Sequence, residues 1–272
     1  MAVIVVVGAD THLGGRIVDR LVARGRSVVA LTRPHSRGNR SRPPAPVASG
    51  VTPAPGSSGG DRPFGSPGAA SSAAVAVGEM AEVAVEGDGP GAVVAAIAAG
   101  AAGRPVAAVL HAEVDEASCI ESPLTSMTPD DWHDLCARPV ASALWTARAA
   151  FDVLGGGGGT LAFVCPSVSM TGAAGLVPVA TAGEAVRLLA KSAARRWGGA
   201  GITVNVFAPS VDACSPHDRG AGRPAVNAAA FDESDVDAAD EIASLLAYLA
   251  DPGSARLSGA TLGTDGGELM AP

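Results

Sequence analysis

Aromatic side chains are nearly missing from this chain: they make up 3% of its 272 residues, with a single tyrosine, Tyr248. Few platforms therefore exist on which bases could stack. The net charge is −8 and no basic run exceeds a few residues, so nucleic acid is excluded as an expected partner. The four cysteines, Cys119, Cys136, Cys165 and Cys214, stand far apart with no Cys-x-x-Cys. They read as buried free thiols rather than as a disulfide or metal site. Long hydrophobic runs are also missing. Val3 to Val7 is too short for a signal peptide and has no basic leader. Gly91 to Ala112 is built of Ala and Gly and is interrupted by Arg104-Pro105, so it reads as a helix plus a strand and not as a membrane span. The expectation is a soluble cytoplasmic protein with no membrane partner and no metal.

What is present is an ordered α/β pattern, and it is plainest in the first 33 residues. Val3 to Val7 is a β-branched run. Gly8-Ala9-Asp10-Thr11-His12-Leu13-Gly14-Gly15 follows as a turn. Leu13, Ile17, Leu21 and Val22 recur at helical spacing, and Ser27 to Leu31 is a second β-branched run. Strand, glycine turn, helix and strand in this order open a dinucleotide-binding fold.

Pro34 to Ala74 breaks the pattern with eight Pro, seven Gly and eight Ser in 41 residues. Such a segment buries too little apolar surface to offset its ordering entropy, and it reads as a flexible insert. Alternation then resumes. Strands are expected at Ala81–Glu86, Val106–His111, Thr160–Cys165, Ile202–Ala208 and Leu257–Leu262. Helices are expected at Gly91–Ala99, from Thr128-Pro129-Asp130-Asp131 through Phe151, at Gly183–Trp197, and around Ile242, Leu245, Leu246 and Leu249. Thr128 as N-cap, Pro129 at the first position and two acids in the first turn mark the second of these helices. Trp132, Leu135, Leu144 and Phe151 mark its apolar side, and Tyr248, beside Leu249, reads as a packing residue. A polar, Asp-rich stretch lies between Asp212 and Asp240. About seven strands alternating with helices give a single α/β domain with a Rossmann-type, doubly wound parallel sheet.

Three motifs in order resemble the short-chain dehydrogenase/reductase family, single-domain branch. Val7, Gly8, His12, Leu13 and Gly14 stand in the frame of its Thr-Gly-x-x-x-Gly-x-Gly turn. Gly201-Ile202-Thr203-Val204-Asn205-Val206-Phe207-Ala208-Pro209 is similar to its Gly-Ile-x-Val-Asn-x-x-x-Pro strand. Leu257 to Gly267 resembles its Asp-Gly-Gly ending. The resemblance covers nearly the whole chain outside the insert. It implies a homo-oligomer, or a hetero-oligomer with an active family member, built on the helices near Thr128–Phe151 and Gly183–Trp197. The small residues Ala190, Ala193 and Ala194 would permit close helix approach.

The cofactor-binding set carried by this resemblance is Gly8, His12, Leu13, Gly14, Arg33 and Ala112. A helix N-terminus offers free N–H groups and partial positive charge to a pyrophosphate. His12 stands at the middle glycine position. Arg33 follows the second strand, where an arginine can pair a ribose 2′-phosphate, and Thr32 stands where NAD-preferring members place Asp. NADP(H) is thus the expected nucleotide, with a solvated surface charge as the other reading of Arg33. The family's Asn-Asn-Ala-Gly reads Leu110-His111-Ala112-Glu113, so Ala112 matches and Glu113 replaces a glycine.

The family's Ser, Tyr, Lys and Asn positions fall on Pro166, Val179, Gly183 and Pro139. None of these moves a proton or holds a ribose. Nearby substitutes are Ser167, Ser169, Thr181, Glu184 and Lys191, with His111 and Cys165 at strand ends. Two functions follow. One is a non-catalytic or weakly active member serving as an oligomeric partner or nucleotide-responsive binder. The other is an NADPH-dependent oxidoreductase that reduces a small carbonyl with a non-standard proton donor.

Overall fold

The computed structural model describes residues 2–33, 78–215, 237–254 and 257–270. The Pro34–Ala74 insert and residues 216–236 of the Asp-rich stretch lie outside them. The strands are β1 (Val3–Val7), β2 (Ser27–Thr32), β3 (Met80–Ala84), β4 (Val106–His111), β5 (Gly159–Val164), β6 (Ile202–Pro209) and β7 (Thr261–Thr264). The helices are α1 (His12–Ala23), α2 (Pro90–Ala101), α3 (Pro129–Trp132), α4 (Arg138–Leu154), α5 (Val168–Thr171), α6 (Val177–Trp197) and α7 (Ala238–Leu249). The seven strands form one sheet in the order β3-β2-β1-β4-β5-β6-β7, and every pair is parallel.

The strand order reverses direction between β1 and β4, so the topological switch point lies at the carboxyl ends of these two strands. Both are apolar on both faces because helices cover the sheet on both sides. One core layer packs Ile17, Leu21, Ile242 and Leu246 of α1 and α7 on Ile4, Val6 and Leu110. The other packs Val93, Ile97, Ala143, Ala147 and Val186 of α2, α4 and α6 on Val5, Val109 and Phe163.

The two later motifs support each other directly. Asn205 is fully buried on β6; its Nδ2 donates to Leu257 O at 2.8 Å and its Oδ1 accepts from Ala260 N at 3.2 Å. Val204 N donates to Ser258 Oγ at 3.0 Å. Asp265 then accepts from Gly267 N and Leu269 N, which folds the Asp-Gly-Gly turn after β7.

Several expected elements shift. β3 starts and ends earlier than Ala81–Glu86, and β7 replaces the expected Leu257–Leu262 because the segment before Thr261 is used to satisfy Asn205 and Val204. The fifth and sixth strands run Gly159–Val164 and Ile202–Pro209, α2 extends to Pro90–Ala101, and α6 starts at Val177 and not at Gly183. The helix after Thr128 is not uniform. Thr128 caps it in a full capping box with Asp131, but residues His133–Ala137 are π-helical before α4 begins. Pro139 has no N–H to give, and Arg138 N reaches His133 O instead.

Faces are corrected as well. Trp132, Leu144 and Phe151 are exposed, and the side of α4 that packs on the sheet is Ser142, Ala143, Thr146, Ala147, Ala150 and Leu154. Small residues suit the close helix–sheet approach there. Ala190 and Ala193 of α6 face the sheet for the same reason and are not presented to another chain. Tyr248 is 57% exposed, because Ile242, Leu246 and Leu249 take the inner face of α7.

The first turn is the tightest point of the fold. A Cβ on Gly14 would lie 2.0 Å from Gly8 O and 2.7 Å from Thr11 Oγ1. Gly14→Ala is expected to cost about 3 kcal/mol of unfolding free energy, at the upper end of overpacking, measured by chemical denaturation.

Candidate functional site

The turn Gly8–Gly14 brings α1 down onto the ends of β1 and β4. Gly8 has φ of +83°, which a side chain disfavours, and a Cβ there would lie 2.7 Å from Glu113 N. Thr11 is the N-cap. Its Oγ1 accepts from Gly14 N at 3.1 Å and has Gly8 O at 2.8 Å and Ala112 O at 3.1 Å as acceptors. This buried hydroxyl joins β1, α1 and β4. Sequence reading placed Thr11 in the turn but not in this role; its position just before the helical periodicity was the available signal.

All six expected cofactor-binding residues gather at this end of the sheet. Gly8, His12, Leu13 and Gly14 form the turn, although the Leu13 side chain points into the core. Ala112 is fully buried and meets the turn through Thr11. Arg33 extends from the end of β2 and is neither a solvated charge nor open to a phosphate. Its side chain is 16% exposed, its Nε lies 3.2 Å from Glu113 Oε2, and its guanidinium sits 5.5 Å from the Trp145 ring centroid. Glu113 Oε2 also accepts from Ser142 Oγ at 2.6 Å. His12 N, at the helix N-terminus, donates to Glu116 Oε1 at 3.2 Å. Two groups suited to a dinucleotide's phosphates, the His12 N–H and the Arg33 charge, are thus met by internal carboxylates, and as arranged these two do not fit that ligand.

Beside this crevice is a small cavity of about 30 Å³, lined by His111, Glu113, Asp115, Ser118, Val164 and Leu135 and by Pro139, Pro166, Val179 and Gly183. The four positions aligned with the family's Asn, Ser, Tyr and Lys therefore converge on one cavity. Its size suits one or two waters. At Gly183 there is no room for a longer side chain: a Cβ would lie 2.8 Å from Ser169 Cβ. The Ser169 hydroxyl is buried and has no hydrogen-bond partner among the described residues.

The substitutes do not assemble on this cavity. Ser167 and Ser169 are buried outside its lining, and Thr181 is exposed. Glu184 binds Arg187 at 2.6 Å, and that guanidinium holds its carboxyl below the ordinary value. Lys191 lies with Arg195 in a separate open cleft. Burial pushes the Cys165 thiol far up, so it is not a thiolate at neutral pH. All four cysteines are free and buried. No group of three or more metal-ligating side chains occurs among the described residues.

His111 does line the cavity. Its Nδ1 lies 3.0 Å from Thr146 Oγ1, and its ring packs 5.9 Å from that of Phe163. Burial pushes its pKa down to about 4; Glu113 opposes that shift and Arg33 adds to it. The imidazole is neutral at physiological pH. A histidine whose folded pKa lies below its ordinary 6.5 contributes stability that is complete above pH 6.5 and is lost as pH falls toward 4. Between pH 7 and 5 this group is expected to remove about 2 kcal/mol of unfolding free energy. The corresponding slope should flatten in His111→Gln, measured by denaturation across that range.

Comparison with known proteins places this geometry. A family model described as enoyl-(acyl carrier protein) reductase matches residues 72–268. None of the curated proteins matches the sequence. Among solved structures, the chain is similar to a putative oxidoreductase from Escherichia coli str. K-12, with 18% identity, a TM-score of 0.67, and coverage of 100% of this chain and 99% of that one. It is similar to a short-chain type dehydrogenase/reductase from Mycobacterium ulcerans, with 15% identity, a TM-score of 0.66, and coverage of 98% and 89%. It is also similar to a dehydrogenase/reductase from Sinorhizobium meliloti 1021, with 20% identity, a TM-score of 0.66, and coverage of 98% and 96%. No helix among the described residues is long and apolar enough to cross a membrane. With a family match over more than half its length on a seven-stranded parallel sheet, the chain belongs to the short-chain dehydrogenase/reductase family, whose members bind NAD(P)(H).

Proposed function

We propose that this chain is a non-catalytic member of its family that serves as an oligomeric partner. The carrying observation is the cavity where Pro139, Pro166, Val179 and Gly183 meet. Proton transfer next to hydride transfer needs a hydroxyl or amine at a fixed distance, and neither proline, valine nor glycine supplies one. Ser169 fills the space in which a side chain at 183 would lie.

The partner role is supported by an apolar surface on the two helices that build oligomers in this family. Leu144 and Phe151 of α4 and Leu188 of α6 are exposed, and Phe151 lies 5.2 Å from the ring of Trp197 at the end of α6. Exposed apolar side chains clustered on neighbouring helices suit a covered face. A second copy of this chain, or an active relative with matching helices, is the occupant.

The second reading is an NADPH-dependent reductase of a small carbonyl, and His111 favours it as a cavity-lining imidazole within hydrogen-bond reach of the Thr146 hydroxyl, placed to relay a proton. Turnover separates the two. The purified protein is expected to oxidise no NADPH above the no-protein rate across aldehydes, ketones and enoyl thioesters. Turnover that disappears in His111→Gln would overturn the non-catalytic reading.

For the partner role, Leu144→Arg with Leu188→Arg is expected to lower the assembly to the mass of a single chain, measured by light scattering on an eluting column. An unchanged mass, or a wild-type chain that is monomeric alone and with co-expressed relatives, would count against it.

A further inference from the structure

Two internal carboxylates hold the two groups that would meet a dinucleotide's phosphates, and both come from one short segment. Glu113 and Glu116 lie directly after β4, in the stretch that crosses the N-terminus of α1. Glu116 Oε1 accepts the N–H of His12, the first residue of that helix. Glu113 Oε2 pairs with Arg33 Nε and accepts from Ser142 Oγ. We propose that Glu113–Glu116 is an internal plug of the nucleotide crevice. Glu116 stands in for a pyrophosphate at the helix N-terminus, and Glu113 for a ribose 2′-phosphate on Arg33.

The plug is built rather than incidental. Asp115 Oδ1 accepts from Ala117 N at 2.9 Å and caps the 3₁₀ turn Glu116–Cys119, which presents Glu116. Asp115 Oδ2 lies 3.4 Å from Arg138 Nη2 at the start of α4. The Glu113 backbone is seated where a Cβ on Gly8 would be 2.7 Å away, so the segment rests against the turn itself. Helix α1 has no acidic residue of its own in its first turn, which leaves its N-terminal charge to the plug.

Arg33 shows what the plug leaves unused. Its Nε and Nη2 are both buried and have no hydrogen-bond partner among the described residues, so Glu113 offsets the charge at ion-pair distance without satisfying the guanidinium fork. A phosphate takes that fork bidentately. A ligand with a pyrophosphate and a third, terminal phosphate would therefore compete with the plug at two points, and one with the pyrophosphate alone at one. The inference rests on this crevice being the family's nucleotide groove and not on the loss of turnover.

The test is calorimetric titration of the full chain with NADP⁺ and with NAD⁺, in wild type and in Glu113→Gln with Glu116→Gln. Glutamine keeps the size of each side chain and removes its charge. The double variant is expected to bind NADP⁺ about tenfold or more tightly than wild type, the scale of regaining a helix N-terminal contact and an arginine–phosphate pair. Its preference for NADP⁺ over NAD⁺ is expected to vanish when Arg33→Met is added. Wild type that binds NADP⁺ as tightly as the double variant would overturn the plug, as would a folded double variant with no gain. The single variants, each expected to gain part of the effect, give the same reading should the double variant unfold. Binding is read here without any carbonyl substrate, so tight binding with no NADPH oxidation leaves the non-catalytic reading standing, and turnover would overturn that reading without touching the plug.

Discussion

The close contact between Gly8 and Gly14 is the constraint on which this molecule depends. With no side chain on either residue, the helix α1 starts almost on top of the end of β1, and the Thr11 hydroxyl can reach both strands flanking the switch point. Everything of interest lies within that reach. The helix N-terminus, Ala112, Glu113 and the end of β2 come together because α1 cannot stand off from the sheet. A looser turn would leave a fold of the same class without a defined crevice.

This crevice is marked by close packing and by internal charge pairing. The four positions aligned with the family's Ser, Tyr, Lys and Asn carry no side chain that gives or takes a proton, and the titratable groups on the cavity wall are His111, which burial keeps neutral, Glu113 and Asp115. The adjoining groove is held by Arg33, Glu113, Ser142 and Glu116 in an arrangement that pairs the Arg33 charge with Glu113 but leaves Arg33 Nε and Nη2 without a hydrogen-bond partner among the described residues. These features are consistent with each other. Placing Glu113 beside Arg33 lowers the cost of burying that charge, since an unpaired guanidinium at this depth is costly.

Much of the fold was legible because its signals are local. β-branched runs, the capping residue Thr128, and the helical spacing of α1 and α7 all act within a few residues. The two later motifs were legible as patterns, but their reason was not. Asn205 is buried because it satisfies Leu257 and Ala260, more than fifty residues away, and that demand displaces the last strand to Thr261. Burial faces were less legible where small residues dominate. In α4 the alanines take the sheet and the larger Leu144 and Phe151, like Trp132 of α3, lie outward, the reverse of what side-chain size suggests. The departure from α-helix at His133–Ala137 follows from Pro139, a local cause that the periodicity concealed.

The sequence by itself determined the class of fold and the family, because each depends on residue type at a fixed spacing. Tertiary structure decided what those residues touch. That Ser169 fills the space beside Gly183, that Arg33 turns inward onto Trp145 and Glu113, and that Glu116 takes the N–H of His12 are contacts between segments distant in the chain. No spacing rule encodes them, since they arise only when packing of the sheet brings β2, β4, α1 and α4 to one edge.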